Sequence, residues 1–150
     1  MTELQEDFYI RTILADDAEQ ISEIQAAITN PSDFIDFRQI IERHVQNEND
    51  ASLVAEINGR VVGYMISYVL FGGFGLQKSA WIATLGVHPK FMGQGIGKRL
   101  AEEIIRIYRE KGVEDIYTSV RWDSVDLLSF FKTLGFDRSS FINLKKRLNS

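Results

Sequence analysis

Three glycines stand at alternate positions in the segment FMGQGIGKRL, residues 91–100; they are Gly93, Gly95 and Gly97. A strand-to-helix connection often uses glycine in this way, because glycine adopts positive φ at little cost. The same arrangement lets backbone N–H groups at the start of a helix approach an anion closely, where the helix dipole supplies roughly half a positive charge. The segment therefore indicates either an ordinary turn or a phosphate cradle built from the backbone.

Two common phosphate motifs do not fit this segment. A Walker A loop needs glycine at position 92 and Ser or Thr at position 99, where the chain has Met92 and Arg99. A dinucleotide fingerprint needs the spacing Gly-x-Gly-x-x-Gly in a doubly wound chain, whereas these glycines are evenly spaced and follow predicted hairpins. Among the phosphate sites, a pyrophosphate held by consecutive N–H groups ahead of a helix that begins near Ile96 fits the segment, and the ordinary turn stays the alternative.

Composition narrows the remaining chemistry. The 150 residues include no cysteine, which excludes disulfides, thiol nucleophiles and cysteine-ligated zinc. The two histidines, His44 and His88, are far apart in the sequence, so no metal site is predicted. The formal net charge of -4 argues against a nucleic-acid partner.

The N-terminal stretch MTELQEDFYI is acidic and lacks the apolar region of a signal peptide. The longest apolar stretch, residues 61–76, is interrupted by Ser67 and by glycines and is shorter than the ~20 residues of a membrane helix. We therefore expect a soluble, cytoplasmic protein without membrane contact.

The elements that must position the glycine segment follow from hydrophobic period and turn residues. Asn58-Gly59 between two alternating runs predicts a β-hairpin, since both turn residues adopt positive φ. A strand from Ala80 to Val87 leads through the glycines into a helix that ends near Gly112. The order predicts one α/β (α+β) domain over residues 1–150, with a crossover helix between two parallel strands.

The predicted boundaries are as follows. Strands cover residues 8–14, 53–57, 61–70, 80–87 and 115–120, and helices cover residues 16–28, 32–45, 96–111 and 125–134. The residues expected to begin or end helices are Asp16 with Glu19, Asn30-Pro31, Ser32 or Asp33, and Asp123 or Ser124. Residues 136–148 are expected to form one strand or two.

Two segments together resemble a known family. VHPKFMGQGIGKRL, residues 87–100, is similar to the acetyl-CoA-binding motif of the GCN5-related N-acetyltransferase (GNAT) superfamily, in which a strand ending in Val-x-Pro is followed by Arg/Gln-x-x-Gly-x-Gly/Ala and a helix. FFKTLGF, residues 130–136, resembles the second signature of that family. The resemblance implies a single mixed, mostly antiparallel sheet with a central splayed parallel strand pair and helices on both faces.

The resemblance also implies a site for acetyl-CoA as the acetyl-donor substrate, without a metal. The backbone of Leu85 and Val87 would pair with the pantetheine arm, and an N–H near Leu85 or Gly86 would polarise the thioester. Gly86 would form the bulge that opens the strand pair. The residues assigned to acetyl-CoA are Leu85, Gly86, Val87, Met92, Gly93, Gln94, Gly95, Ile96, Gly97, Lys98, Ser124 and Phe131.

The chain departs from the family pattern at three places. Met92 stands at an Arg/Gln position, Phe131 at the position of the tyrosine that protonates the leaving thiolate, and Ser124 at that of an asparagine. Thus the thiolate leaves unassisted, or a water or Ser124 protonates it, or catalysis is weak. The strand from Ala80 to Val87 also has no glutamate as general base, and Thr84 is its main polar residue.

The implied reaction is transfer of the acetyl group to a primary amine of a small molecule or protein, by direct attack in a ternary complex. The alternative is a CoA-binding module that has lost efficient catalysis and acts as a sensor or interaction partner. By resemblance, the acceptor cleft involves Asn30–Phe37 and Phe71–Leu76, the latter either as a lid over an apolar or aromatic acceptor or as a loose hairpin loop. The resemblance also allows a homodimer through residues 141–148, which the sequence does not decide.

Overall fold

A computed structural model of the chain describes residues 7–28, 36–45 and 47–149. Within them, five strands and four helices follow each other as β1 (Phe8–Thr12), α1 (Ala18–Ile28), α2 (Phe37–Val45), β2 (Leu53–Ile57), β3 (Arg60–Phe71), β4 (Lys78–Val87), α3 (Ile96–Glu110), β5 (Ile116–Thr118) and α4 (Val125–Thr133). Short 3-10 turns at Ala15–Asp17 and Pro89–Phe91 precede α1 and the glycine segment.

The five strands form one sheet in the order β1-β2-β3-β4-β5. The first four are antiparallel, whereas β4 and β5 are parallel and are joined by the crossover through α3. The predicted fold class, a mixed and mostly antiparallel sheet with one parallel pair, is confirmed. The parallel pair lies at one end of this sheet.

Helices cover both faces of the sheet. Successive residues of a strand point to opposite faces, and Gly63 and Tyr64 of β3 show the two sides. An added Cβ on Gly63 would lie 2.9 Å from Ile96 of α3, whereas the ring of Tyr64 meets the ring of Phe37 in α2 at 5.6 Å. We therefore refer to an α3 face and an α1/α2 face.

The core on the α1/α2 face is built by the helical period of Ile21 and Ile24 in α1 and Phe37 and Ile41 in α2. Burying each such side chain contributes about 1.5–3 kcal/mol. The members of this core, each at most 3% exposed, are Ile13, Ala18, Ile21, Ile24, Phe37, Ile41, Val54, Val61, Tyr64 and Ile66.

The hairpin turn agrees with its prediction, because Asn58 and Gly59 have φ of 52° and 81°. The start of α1 differs. Asp17, rather than Asp16 with Glu19, accepts the N–H of Leu14 at 2.7 Å and is held by Arg11 at 2.8 Å. Its carboxylate is favoured there because it meets both a free N–H and a guanidinium.

The second helix begins at Phe37, later than predicted. Asp36 lies just ahead of it and accepts the N–H of Gln39 at 3.2 Å, as an N-cap does. The predicted signals at Asn30-Pro31, Ser32 and Asp33 lie outside the described residues.

The end of the chain differs from its prediction. Residues 136–149 contain no strand, and β5 covers Ile116–Thr118 rather than residues 115–120. Apolar residues there, such as Ile142 and Leu144, are 84% and 89% exposed. Alternating residues favour a strand, but a strand exists only when its backbone pairs with a neighbour, and sequence alternation does not supply that neighbour.

The chain divides into two compact units between Ser119 and Val120. The first holds the sheet and α1 to α3, and the second holds α4 and the terminal segment. No helix within the described ranges is long and apolar enough to cross a membrane.

Candidate functional site

The candidate site in the first unit begins with an irregularity in β4. Ile66 of β3 faces Thr84, but the next residue, Ser67, faces Ile82, so Ala83 is an extra residue in β4. Such a β-bulge shifts the alternation of the strand by one residue. Backbone groups that face one neighbouring strand before the bulge therefore face the other strand after it.

Before the bulge, even-numbered residues of β4 face β5. The N–H of Ala80 donates to the carbonyl of Asp115 at 3.2 Å, and the carbonyl of Ile82 accepts from Thr118 Oγ1 at 3.0 Å. The ladder between the two strands ends there, and no strand of the described chain pairs with residues 83–87 on this side. The two parallel strands thus separate, as the resemblance predicts.

After the bulge, the even-numbered positions face β3 instead. The N–H of His88 donates to the carbonyl of Val62 at 2.9 Å, and Gly86 faces Tyr64 in the same ladder. The N–H and C=O groups of Leu85 and Val87 consequently point away from β3. They point to the side of residues 83–87 on which no described strand pairs, here called the open edge. This orientation suits pairing with an extended ligand; the ligand contact itself stays a prediction.

Gly86 does not form the bulge, so that prediction is wrong. The bulge lies three residues earlier, at Ala83. Glycine is needed at position 86 for a different reason, because an added Cβ would lie 2.8 Å from Cε1 of Tyr64. The ring of Tyr64 occupies the space above Gly86.

The glycine segment follows β4 after His88 and the 3-10 turn Pro89–Phe91. Gly93 and Gly95 have φ of 83° and 82°, which side chains rarely adopt, and no atom would lie within 4 Å of an added Cβ on either. Gly95 is the N-cap of α3, and Gly97 lies in the first turn of that helix. The first N–H groups of an α-helix have no partner within the helix, and in α3 these are the N–H groups of Ile96, Gly97 and Lys98.

The side chains around the glycine segment differ in their contacts and in their exposure. Arg99 lies over the ring of Phe8 at 4.6 Å, a cation–π contact, while Lys98 is exposed. Met92 is 54% exposed. His88 Nδ1 accepts the N–H of Lys90 at 3.1 Å and so closes the turn after β4.

A hydrogen bond joins Tyr64 of β3 to helix α1 on the α1/α2 face, next to Gly86. The hydroxyl of Tyr64 donates to Oε1 of Gln25 in α1 at 2.8 Å and is hydrogen-bonded to Thr84 of β4. Burial raises the pKa of Tyr64 to about 12, despite the opposite effect of Thr84. Tyr64 therefore stays protonated near neutral pH and acts as a donor, not as a base.

Ser124 and Phe131 lie in the second unit. Ser124 is the N-cap residue of α4, although its hydroxyl makes no capping hydrogen bond. Phe131 is 4% exposed, and its ring meets those of Phe130 and Phe136, each at 5.1 Å. Their roles toward a ligand stay predictions.

Two aromatic residues near the open edge, Trp81 and Tyr117, were not singled out in the sequence. They belong to different strands, and the register that brings them together is not visible before the sheet is known. Within the described residues, no three His, Asp or Glu side chains are grouped so as to hold a metal ion.

Comparison with known proteins places this geometry in a family. Residues 10–136 match the profile of the acetyltransferase (GNAT) family. A transcriptional regulator from Bacillus halodurans C-125 is similar in structure, with a TM-score of 0.79 and 22% identity over 94% of this chain and 99% of that chain.

Two acetyltransferases are similar to a comparable degree. One comes from an uncultured soil metagenomic sample and is an aminoglycoside acetyltransferase in complex with sisomicin, with a TM-score of 0.79 and 22% identity over 95% of this chain and 97% of that chain. The other is aminoglycoside N-acetyltransferase AAC(6')-Iy in complex with CoA, with a TM-score of 0.75 and 17% identity over 93% and 100% of the two chains. At these identities the likeness shows a shared fold.

The profile match covers well over half of the sequence, and it includes β4, the glycine segment and α3. The chain therefore belongs to the acetyltransferase (GNAT) family.

Proposed function

We propose that this protein transfers an acetyl group from acetyl-CoA to a primary amine, by direct attack in a ternary complex. The observation that carries the proposal is the open edge of β4, where Leu85 and Val87 turn their backbone groups outward, followed by the glycine segment and α3. A CoA ester needs both features, because its pantetheine arm carries amides and its pyrophosphate carries negative charge.

The residues present suit such a donor substrate. Amides of the pantetheine arm would pair with the backbone of Leu85 and Val87, as a strand pairs at a sheet edge. The pyrophosphate would lie at Gly93–Lys98, where the backbone can approach it closely and the start of α3 is positive. Met92 supplies no charge there, and a cradle built from N–H groups does not need one.

The chemical step follows from the thioester. The neutral amine attacks the carbonyl carbon, a C–N bond forms, and the tetrahedral oxyanion is stabilised by the N–H of Leu85. The C–S bond then breaks, the amine loses a proton to water or a general base, and the CoA thiolate takes up a proton. Ser124 is our candidate for delivering that proton, because Phe131 has none to give.

Aminoglycoside acetyltransferases among the structural neighbours support an amine as the acceptor. The test is a thiol-release assay with a panel of primary amines, combined with calorimetry of acetyl-CoA binding. We expect binding and release of thiol above background with at least one amine.

A second function is favoured by one observation, the phenylalanine at the acid position. In that case the protein binds acetyl-CoA as a sensor or interaction module. Tight acetyl-CoA binding without thiol release for any amine would support this alternative, and absence of acetyl-CoA binding would contradict both.

A further inference from the structure

We propose that Phe74, Trp81 and Tyr117, here called the aromatic ledge, hold the body of the acceptor, and that the preferred acceptors are primary amines carrying an aromatic group. This inference rests on the proposed function, since it names the substrate class of the same site. It concerns three residues that are not among those we assign to acetyl-CoA.

The ledge is a continuous aromatic stack. The ring of Trp81 lies nearly parallel to that of Tyr117, with centroids 4.6 Å apart and 23° between the planes. The ring centroid of Phe74 is 5.7 Å from that of Trp81, with 47° between the planes. The indole N–H donates to Oγ of Ser79 at 2.8 Å, which fixes the ring and leaves its faces for aromatic contacts.

The ledge lies on the α1/α2 face. Residues directly opposite in a ladder share a face, and Trp81 stands opposite both Tyr68 in β3 and Tyr117 in β5. The ring of Tyr68 in turn meets that of His44 in α2 at 6.3 Å. The aromatic stack and the helices α1 and α2 are therefore on the same side of the sheet.

Thr84, the residue just before Leu85 in β4, lies on this same face. Thr84 stands opposite Ile66, which belongs to the core under α1 and α2, and Thr84 is hydrogen-bonded to Tyr64. From Trp81 to Leu85 the strand advances four residues, or about 13 Å at 3.3 Å per residue. An acceptor whose amine is at Leu85 and whose ring is at the ledge spans on the order of 10 Å.

Phe74 is held in an uncommon conformation. Its φ is 54°, between Gly73 at 87° and Gly75 at 73°. A left-handed residue with a Cβ costs roughly 1 kcal/mol, and here the cost places a 60% exposed aromatic ring next to Trp81. Backbone strain that holds an exposed side chain in one place is typical of a binding residue.

The charges around the ledge suit an amine. Aromatic faces attract a cation, and an alkylamine in water is protonated before it reacts. The carboxylate of Asp115 is close enough to Tyr117 to add to the effect of burial in raising the pKa of that phenol. The carboxylate of Asp115 thus places one negative charge near the aromatic ledge.

The experiment compares ω-phenylalkylamines with n-alkylamines of the same chain length, from one to eight methylenes, by the kcat/KM of thiol release. We expect the phenyl group to raise kcat/KM by about two- to tenfold, the range of an aromatic contact, with the gain appearing in the longer chains. Diaminoalkanes of equal length test for attraction to charge alone. A larger gain for the diamines than for the phenylalkylamines would overturn the aromatic class.

Variants locate the effect. The phenyl advantage is the ratio of kcat/KM for a phenylalkylamine to that for the n-alkylamine of the same chain length. Phe74→Ala and Trp81→Ala should reduce this ratio to below twofold, and Phe74→Ala keeps the test valid if the change at Trp81 impairs folding. Tyr9→Ala is the matched control, because Tyr9 is also an exposed aromatic residue, at 50%, but belongs to β1 at the other end of the sheet. It should retain the full phenyl advantage.

The outcomes separate the two proposals. Acetylation of n-alkylamines without any phenyl advantage, or an advantage that survives both ledge variants, overturns this inference and leaves the proposed function standing. Failure to acetylate any amine contradicts the proposed function itself.

Discussion

The ring of Tyr64 lies so close to Gly86 that an added Cβ on the glycine would be 2.8 Å from Cε1 and 3.0 Å from the hydroxyl oxygen. These residues face each other in the β3–β4 ladder. Gly86 separates Leu85 from Val87, whose backbone groups point to the open edge. The fit between one aromatic ring and one glycine therefore controls the path of the strand that we propose binds acetyl-CoA.

Gly86→Ala should lower the free energy of unfolding and weaken acetyl-CoA binding together. The methyl group forces either the Tyr64 ring or β4 to move, and overpacking of this kind costs about 1–3 kcal/mol. Urea unfolding measures the first effect and calorimetry with acetyl-CoA the second.

The matched control combines Gly86→Ala with Tyr64→Leu. If the clash is the cause, the alanine costs less stability in the Tyr64→Leu background than in the native one, because the ring is no longer there. Strict additivity of the two changes would contradict this explanation.

Stability at high pH should depend on Tyr64. The pKa of Tyr64 is raised to about 12, whereas a tyrosine in an unfolded chain titrates near pH 10. The folded state thus keeps a proton that the unfolded state loses, so this contribution is full below pH 10 and is lost between pH 10 and 12. The loss amounts to about 3 kcal/mol at most.

Tyr64→Phe tests this by urea unfolding from pH 9 to pH 12. The variant should lose less stability over that range than the native protein, although burial also raises the pKa of Tyr108 and leaves part of the slope. Parallel curves for the two proteins would show that Tyr64 titrates normally.

The sequence predicts features that depend on a few neighbouring residues. The three glycines of residues 93–97 indicate a turn with positive φ before a helix, which holds at Gly93 and Gly95 but not at Gly97. Asn58-Gly59 predicts a hairpin turn, which the structure has. These features are local, because φ preference and hydrophobic period are properties of adjacent residues. The length of the crossover through α3 also predicts the parallel strand pair.

Features that depend on the pairing register between strands could not be predicted from the sequence. The bulge was expected at Gly86 but lies at Ala83, because a one-residue shift between two strands leaves no mark on the sequence of either. The aromatic ledge could not be predicted for the same reason, since Trp81 and Tyr117 are 36 positions apart and meet only through the β4–β5 pairing. Asp17, rather than the predicted Asp16, accepts the N–H group ahead of α1, because Asp17 forms an ion pair with Arg11 of β1.

Glycines 95 and 97 should respond to alanine in opposite ways. Gly95→Ala places a Cβ at φ of 82° and should cost about 1–2 kcal/mol of stability. Gly97→Ala lies inside α3, where alanine is better than glycine by about 0.8–1 kcal/mol, so the fold should become slightly more stable.

Acetyl-CoA binding should nevertheless fall in both variants. Gly97→Ala adds a methyl group in the cradle that we propose for the pyrophosphate, so higher thermal stability and weaker binding are expected together. Thermal unfolding with and without acetyl-CoA measures both quantities. Unchanged binding in Gly97→Ala would remove this position from the cradle.

Phe131→Tyr should increase turnover if the phenylalanine is what limits protonation of the leaving thiolate. A positioned acid contributes roughly 10²–10⁴-fold. We expect a gain in kcat on the order of tenfold, since we propose that Ser124 already delivers the proton in part. Phe130→Tyr is the control, because its ring is 5.1 Å away on the same helix and is not at the acid position.

Ser124→Ala should lower kcat in the native background and less in Phe131→Tyr. If Phe131→Tyr and Ser124→Ala both leave kcat unchanged, the proton comes from another group, and thermal unfolding shows whether the buried hydroxyl has merely cost stability.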